Sequence, residues 1–326
     1  MSREIVKTVG LKKYFRVTKS FIERLFEKSV RYVKAVDGVD ITIYRGEVIS
    51  LVGESGSGKT TFGKLTLRLI DPTEGKIFFK GVEITNLKGE ELRRLRRDMQ
   101  VIYQDPYSSL NPRMKIGDII GEPLEIHGLM DKNEIEEAVL NMLERVGLTP
   151  PQKFYSLYPR DLSGGQRQRV AIARTMIMNP SFIVADEPVS MIDLSLRASI
   201  LDLMMDLKRE YNLTILFITH DLSTAYYLSD RIAIMYLGRL VEIGDRDKIF
   251  KNPLHPYTQA LLKAIPIPKP KYRVEIPLKG EIPNAINIPS GCRFHPRCPY
   301  IMDICRVEDP KLIEVEKNHY VACHLY

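Results

Sequence analysis

One stretch constrains this chain more than any other: Gly53, Glu54, Ser55, Gly56, Ser57, Gly58, Lys59 and Thr60, followed by Thr61. It lies between a short β-branched run, 47–52, and a helix-like segment, 60–70, which Asp71 and Pro72 close. A strand that feeds a glycine loop and then a helix points to a layered α/β fold. The glycines let several backbone N–H groups turn toward one anion. The helix N-terminus adds partial positive charge. Lys59 can supply a full charge to the β- and γ-phosphates, and Thr60 a hydroxyl to Mg²⁺. The stretch therefore predicts a nucleoside triphosphate site. No Asn-Lys-x-Asp guanine-reading segment occurs, which argues against a GTPase.

A second constellation completes the chemistry. Residues 182–187 form an apolar run ending in Asp186 and Glu187. Ligands of parallel sheets bind at the carboxyl edge, where these carboxylates fall. Asp186 can hold Mg²⁺, and Glu187 can orient or deprotonate an attacking water. Ser163, Gly164, Gly165 and Gln166 open another helix, 164–178, which carries Arg167, Arg169 and Arg174. That is a second anion-friendly helix start. One nucleotide cannot easily use both starts within one subunit.

The rest of the chain supplies the frame. Residues 1–50 read as β-rich, with strand 36–44 ending at the Arg45–Gly46 turn. Between 105 and 180 prolines interrupt strand signals, while Ile135, Val139, Met142 and Val146 recur at helical spacing. This reads as an α-helical insertion. Runs 181–185 and 213–219 with helix 194–210 between them read as a unit of a parallel sheet. Residues 231–237 and 239–243 flank Gly238 as a hairpin, and 253–265 includes a short helix. Residues 266–291 read as a linker. The expected organisation is a nucleotide-binding domain over 1–265, with its helical subdomain at about 105–180, and a C-terminal extension over 266–326.

The 326 residues suffice for about two domains, or for one large domain with an appendage. With 44% hydrophobic and 27% charged residues, the chain is not disordered. The net charge of +7 permits anionic partners. The densest basic cluster, Arg93, Arg94, Arg96 and Arg97, reads as a solvated helix face. No apolar run reaches the roughly 18–20 residues of a membrane span. Met1–Lys7 is charged and lacks a signal-peptide core. Both point to a cytoplasmic chain.

All four cysteines, Cys292, Cys298, Cys305 and Cys323, lie in the extension. Disulfides are unusual in a cytoplasmic chain. A zinc site usually shows a C-x₂₋₄-C knuckle, which is missing, although His295, His319 and His324 could add ligands. Four thiolates could also hold an iron–sulfur cluster.

In order and spacing, Gly53–Thr60, Gln104, Leu162–Gln166, Asp186–Glu187, Asp193 and His220 resemble an ABC ATPase. The resemblance implies a P-loop ABC ATPase of α/β class: a RecA-like parallel-sheet core, an antiparallel β subdomain, an α-helical subdomain and a small cysteine-containing extension. It implies ATP and Mg²⁺ as cofactors. It also implies a dimer in which Ser163, Gly164, Gly165 and Gln166 of one subunit close over ATP held by the other. Gln104 matches the residue that senses Mg²⁺ and contacts the membrane partner. Asp193 matches the aspartate facing the opposite subunit, although Ser190-Met-Ile-Asp193 departs from the usual Ser-Ala-Leu-Asp. His220 matches the histidine on the γ-phosphate. Tyr14 and Phe15 both offer an aromatic for adenine, and the spacing from Leu11 favours Phe15.

Three further segments, beginning at Ala35, Gln104 and Asn252, resemble ATPase subunits of oligopeptide and dipeptide importers, specifically the second of the two. That resemblance implies a related second ATPase, two permeases, an extracytoplasmic binding protein and a place on the cytoplasmic face of the membrane. Direct nucleic-acid binding is not expected. It also implies a 4Fe–4S cluster on Cys292, Cys298, Cys305 and Cys323, in a tail with little core of its own. Oligosaccharide import, for example of cello- or mannooligosaccharides, is the main alternative, and nickel a lesser one. A soluble non-transport ABC ATPase is remote: repair-type ATPases insert long coiled coils between these motifs, and translation-factor types carry two ATPase units.

Overall fold

The structure is a computed structural model describing residues 4–17, 31–264, 283 and 285–326. Most of the linker expected at 266–291, and much of the stretch between Phe15 and Val33, lies outside the described residues. In chain order the strands are β1 (Glu4–Arg16), β2 (Tyr32–Tyr44), β3 (Val48–Val52), β4 (Glu74–Phe79), β5 (Val82–Glu83), β6 (Met99–Ile102), β7 (Phe182–Asp186), β8 (Thr214–Thr219), β9 (Arg231–Tyr236), β10 (Arg239–Asp245), β11 (Ile313–Glu316) and β12 (His319–Val321). The chain divides into two compact units, Met1–Asn86 with Ile218–Tyr326, and Leu87–Phe217.

The first unit holds two sheets. One is antiparallel with order β2-β1-β4-β5. Val6, Leu11, Ile41, Ile43, Ile77 and Phe79 turn their side chains into its core. Such strands bury one face and solvate the other, as alternating patterns require. In the other, the order is β11-β12-β10-β9-β3, with β3 and β9 parallel. All of β3 is buried, in keeping with a sequence that is apolar at every position but Ser50. The helix Lys59–Thr66 follows it.

The second unit combines strand order β8-β7-β6 with helices. β6 and β7 are parallel. Helices Ile116–Ile126, Lys132–Arg145 and Gly164–Met176 pack together through Ile119, Ile120, Val139, Leu143, Val170 and Ala173. Asp131 caps the middle helix in a reciprocal capping box with Glu134. The helix Leu194–Tyr211 lies between β7 and β8 in sequence, and the left-handed Asn212 ends it. The arginine cluster is not merely solvated: Arg97 donates to His127 Nδ1 at 3.1 Å, and Arg93 pairs with Glu90 at 3.2 Å.

The cysteine-containing tail has little core of its own and is woven into the first unit. β12 pairs antiparallel with β10, setting Val321 opposite Glu242 and His319 opposite Gly244. Cys292, Phe294 and Cys305 share a buried cluster with Tyr236, Ile249 and Tyr257. The rings of Tyr236 and Phe294 meet edge-on at 5.4 Å. A short hydrophobic tail reaches stability here by completing a core that the preceding residues already began.

His255 sits at this junction and gives a pH prediction. Its Nδ1 accepts the N–H of Tyr257 at 3.0 Å, capping the helix Pro256–Lys263. Burial lowers its pKa to about 4, with Glu242 opposing. The folded imidazole therefore stays neutral while the unfolded one, near 6.5, takes up a proton. This stability is present above pH 6.5 and is lost as pH falls toward 4. The window corresponds to about 3 kcal/mol. Urea unfolding at pH 7 and pH 4 should show a smaller acid loss for His255→Asn, which can still cap the helix. Equal acid losses in both proteins would contradict this account.

Candidate functional site

In the first unit, the loop between β3 and the helix Lys59–Thr66 has no room for side chains at two glycines. A Cβ on Gly53 would lie 2.2 Å from Met235 O, and one on Gly58 would lie 2.0 Å from Ala35 O. Gly58 also has φ 105°, which favours glycine. These contacts press the loop against its own unit and turn it into a fixed cradle. Lys59 is buried, and its Nζ donates to Gly53 O at 2.7 Å and Glu54 O at 2.9 Å. Thr60, Ser55 and Gly56 remain exposed, while Ser57 is buried and its carbonyl accepts the N–H of Gly238 at 2.8 Å. Thr61 is half-buried on the first helical turn.

Two connections to this loop were not foreseen. Tyr257 Oη accepts the N–H of Glu54 at 3.0 Å. Arg297 grips the Glu54 carboxylate with both terminal nitrogens, at 2.7 and 3.1 Å. That bond, ahead of any other influence, raises the Arg297 pKa and holds the guanidinium charged. Sequence could not reveal either link, since each joins residues more than two hundred positions apart.

The same unit carries His220 and Phe15. His220 is exposed just beyond β8, where Thr219 Oγ1 accepts the N–H of Asp221 at 3.0 Å. Asp221 then caps the helix Leu222–Leu228. Strand end and cap together fix the backbone on which the imidazole stands. Of the two aromatic candidates, Tyr14 bonds Asp37 through its hydroxyl, whereas Phe15 stays 41% exposed. Phe15 is thus the more open of the two rings.

In the second unit, β7 delivers Asp186, buried, and Glu187 beside it. Glu187 has φ 47°, a left-handed angle rare for such a residue. Ser190 secures the turn by donating its N–H and Oγ to Glu187 O at 3.1 and 3.0 Å. Gln104 Nε2 donates to Glu187 Oε2 at 2.9 Å. Two residues far apart in sequence, both expected at the site, are therefore brought together. Strain of this kind at a strand end orients a side chain that the regular strand would bury.

Ser163 caps the helix Gly164–Met176 in a capping box with Gln166. Gln166 Oε1 accepts the Ser163 N–H at 2.9 Å, so its side chain already has a structural task. A Cβ on Gly164 would meet nothing, and one on Gly165 would lie 3.2 Å from Leu196 Cδ1. The arginines that follow are structural. Arg167 donates to Pro159 O at 2.6 Å and stacks over Tyr107. Arg169 donates to Val146 O, and Arg174 to Glu122 at 2.8 Å. Asp193 is exposed, and Arg197 steadies the turn before it by donating to Ile192 O at 3.1 Å.

The expected iron–sulfur site is not supported by the geometry. Among the described residues, no group of three or more His, Cys, Asp or Glu side chains could hold a metal ion. The four cysteines are unpaired thiols. Burial pushes Cys292 up to about 11 and also raises Cys298 and Cys323. Cys292 and Cys305 serve as small apolar packing groups in the tail's core.

Comparison with known proteins decides the family. Residues 36–190 match the ABC transporter family, and residues 241–305 match the oligopeptide/dipeptide transporter C-terminal region. The probable peptide ABC transporter ATP-binding protein y4tS of Sinorhizobium fredii is 45% identical over 326 residues, covering 100% of this chain and 91% of that protein. The chain belongs to the ATP-binding subunits of oligopeptide and dipeptide ABC transporters. The oligopeptide transport ATP-binding protein AppF of Bacillus subtilis is 47% identical to this ABC ATPase, over 99% of this chain and 97% of its own. Among solved structures, the ATP-binding cassette MJ0796, a dimer bound to ADP and Pi, matches with TM-score 0.64 and 29% identity, covering 74% of this chain and 99% of its own. The cbiO1 subunit from Clostridium perfringens, part of the cbiONQ complex, matches with TM-score 0.65 and 25% identity, covering 77% and 92%. ATP and Mg²⁺ are accordingly the ligands expected of this ABC ATPase. Among the described residues, no helix is long and apolar enough to cross a membrane.

Proposed function

We propose that this ABC ATPase powers the import of di- and oligopeptides from the cytoplasmic face of a membrane. The observation that carries the reading is the match of residues 241–305 to the oligopeptide/dipeptide transporter C-terminal region, a segment whose described residues belong to the nucleotide-loop unit. Relatives named for peptide transport along the full chain support it.

In this reading the backbone of 53–61 and Lys59 take the phosphates, and Phe15 stacks on adenine. Thr60, Gln104 and Asp186 hold Mg²⁺. Glu187 accepts a proton from the attacking water, and His220 holds the γ-phosphate. Ser163, Gly164 and Gly165 address ATP bound by a second, related ATPase, and Asp193 meets that subunit. Gln166 contributes by fixing the Ser163 backbone through the capping box. Two permease chains and an extracytoplasmic binding protein complete the importer. ATP binding closes the ATPase pair, and hydrolysis reopens it.

Uptake of labelled peptides and labelled oligosaccharides by the reconstituted complex tests the assignment. ATP-dependent uptake of di- to oligopeptides is expected. Uptake of oligosaccharides with no peptide uptake would replace the substrate while leaving the ATPase intact.

A further inference from the structure

The contact between Arg297 and Glu54 joins two parts of the chain that have no obvious reason to meet. Glu54 is the second residue of the phosphate loop. Arg297 ends the short 3₁₀ turn His295–Arg297 in the cysteine-containing tail. Its side chain is only 6% exposed, and both terminal nitrogens reach the same carboxylate. A planar fork meeting a carboxylate fixes orientation as well as distance, which a single ammonium cannot do.

The turn that carries Arg297 is itself anchored. Its His295 N–H donates to Cys292 O at 3.0 Å, and Phe294 is fully packed against Tyr236 and Tyr257. Arg297 Nη1 also reaches Tyr236 Oη at 3.5 Å. On the loop side, Glu54 is held at its backbone too. Its N–H donates to Tyr257 Oη, and its carbonyl accepts from Lys59 Nζ. Any shift of Glu54 therefore shifts the oxygen that helps place the phosphate-binding ammonium.

We propose that Arg297 is a positioning residue for the phosphate loop, through which the C-terminal extension sets the affinity for ATP. The path runs from the tail's core to Arg297, to the Glu54 carboxylate, to the Glu54 carbonyl, and to Lys59. Each link acts on the loop proposed to take the phosphates, so the effect is expected on nucleotide binding. The inference rests on the loop being the ATP site.

The test is a titration of the full purified chain with Mg·ATP, followed by steady-state hydrolysis in the assembled transporter. Arg297→Met should raise the dissociation constant about tenfold, and Glu54→Gln by a similar factor. Glu54→Gln reads the same contact from its more exposed end, should Arg297→Met fail to fold. The double variant should bind no more weakly than the worse single one, because both remove one interaction. Arg297→Lys, which keeps the charge without the fork, should fall between. In the transporter, Arg297→Met should raise KM for ATP while kcat stays within about twofold, which a general loss of folded protein would not produce.

Folded Arg297→Met and Glu54→Gln chains that bind ATP within twofold of wild type would overturn the proposal. So would additive losses in the double variant. Lys59→Ala separates this from the site assignment. If Lys59→Ala weakens binding and the other variants do not, only the role of Arg297 fails. If Lys59→Ala binds as wild type, the loop is not the site and both readings fall.

Discussion

Glu187→Gln is expected to lower steady-state ATP hydrolysis by about 10²–10⁴-fold, the usual worth of a positioned general base, while ATP binding survives. The substitution keeps the shape of the side chain and an oxygen to accept the Gln104 N–H, which now lies 2.9 Å from Glu187 Oε2. It removes only the capacity to take a proton. The turn around residue 187 should persist, because Ser190 holds the backbone carbonyl and not the carboxylate. The phosphate loop draws on residues 53–61 and is unaffected.

Phosphate release by the assembled transporter, paired with ATP titration of the purified chain, separates the two steps. Hydrolysis at the wild-type rate would mean that another group accepts the proton, and the role we propose for Glu187 would be withdrawn. Loss of ATP binding together with hydrolysis would instead point to a structural part for the carboxylate. The left-handed angle at this position makes the comparison informative. Such an angle costs about 1–3 kcal/mol and persists only where the surrounding structure holds it.

Sequence made the chemistry legible wherever the chemistry needs particular residues at fixed spacing. The phosphate loop, the Asp186–Glu187 strand end and the Ser163 helix start are all local. Their secondary structure follows from the same residues that carry their function. Local signals also located β7, β8 and the hairpin of β9 and β10 to within a residue or two. The limits appear where a distant partner decides. The helix expected over 60–70 stops at Thr66 because Arg68 turns left-handed, with its guanidinium bonded to Ile84 O at 3.0 Å and Asp71 at 2.6 Å. Arg167, Arg169 and Arg174 follow an anion-friendly helix start, yet each is taken by the packing of its own unit. The tail strand β11 reads Ile-Glu-Val-Glu with every residue exposed, so no buried face announces it. The spacing of the cysteines likewise says nothing about their burial: Cys292 and Cys305 sit in a core cluster with Tyr236 and Tyr257.

The largest stability loss is expected at Glu242, which no sequence motif singles out. The residue is fully buried on β10. One carboxylate oxygen takes the Leu254 N–H at 2.8 Å and His319 Nε2 at 2.8 Å, and the other takes the His255 N–H at 2.9 Å. Glu242→Ala would strand three buried donors at once. Each unsatisfied donor costs about 1–3 kcal/mol, and breaking a buried charged network costs about 3–5 kcal/mol. The free energy of unfolding should therefore fall by about 3–5 kcal/mol, read from denaturant titration. Glu242→Gln should cost less, since it keeps one acceptor oxygen for two of the donors. A loss under about 1 kcal/mol for the alanine variant would show that water or rearrangement replaces the carboxylate. The consequence reaches beyond stability. Glu242 ties β12 and the start of the helix Pro256–Lys263 to the sheet, and Tyr257 on that helix holds the N–H of Glu54. In Glu242→Ala the loop should loosen at its second residue, so ATP affinity should fall before the chain unfolds. That order of events would show the phosphate loop resting on the C-terminal residues at two points, Tyr257 and Arg297.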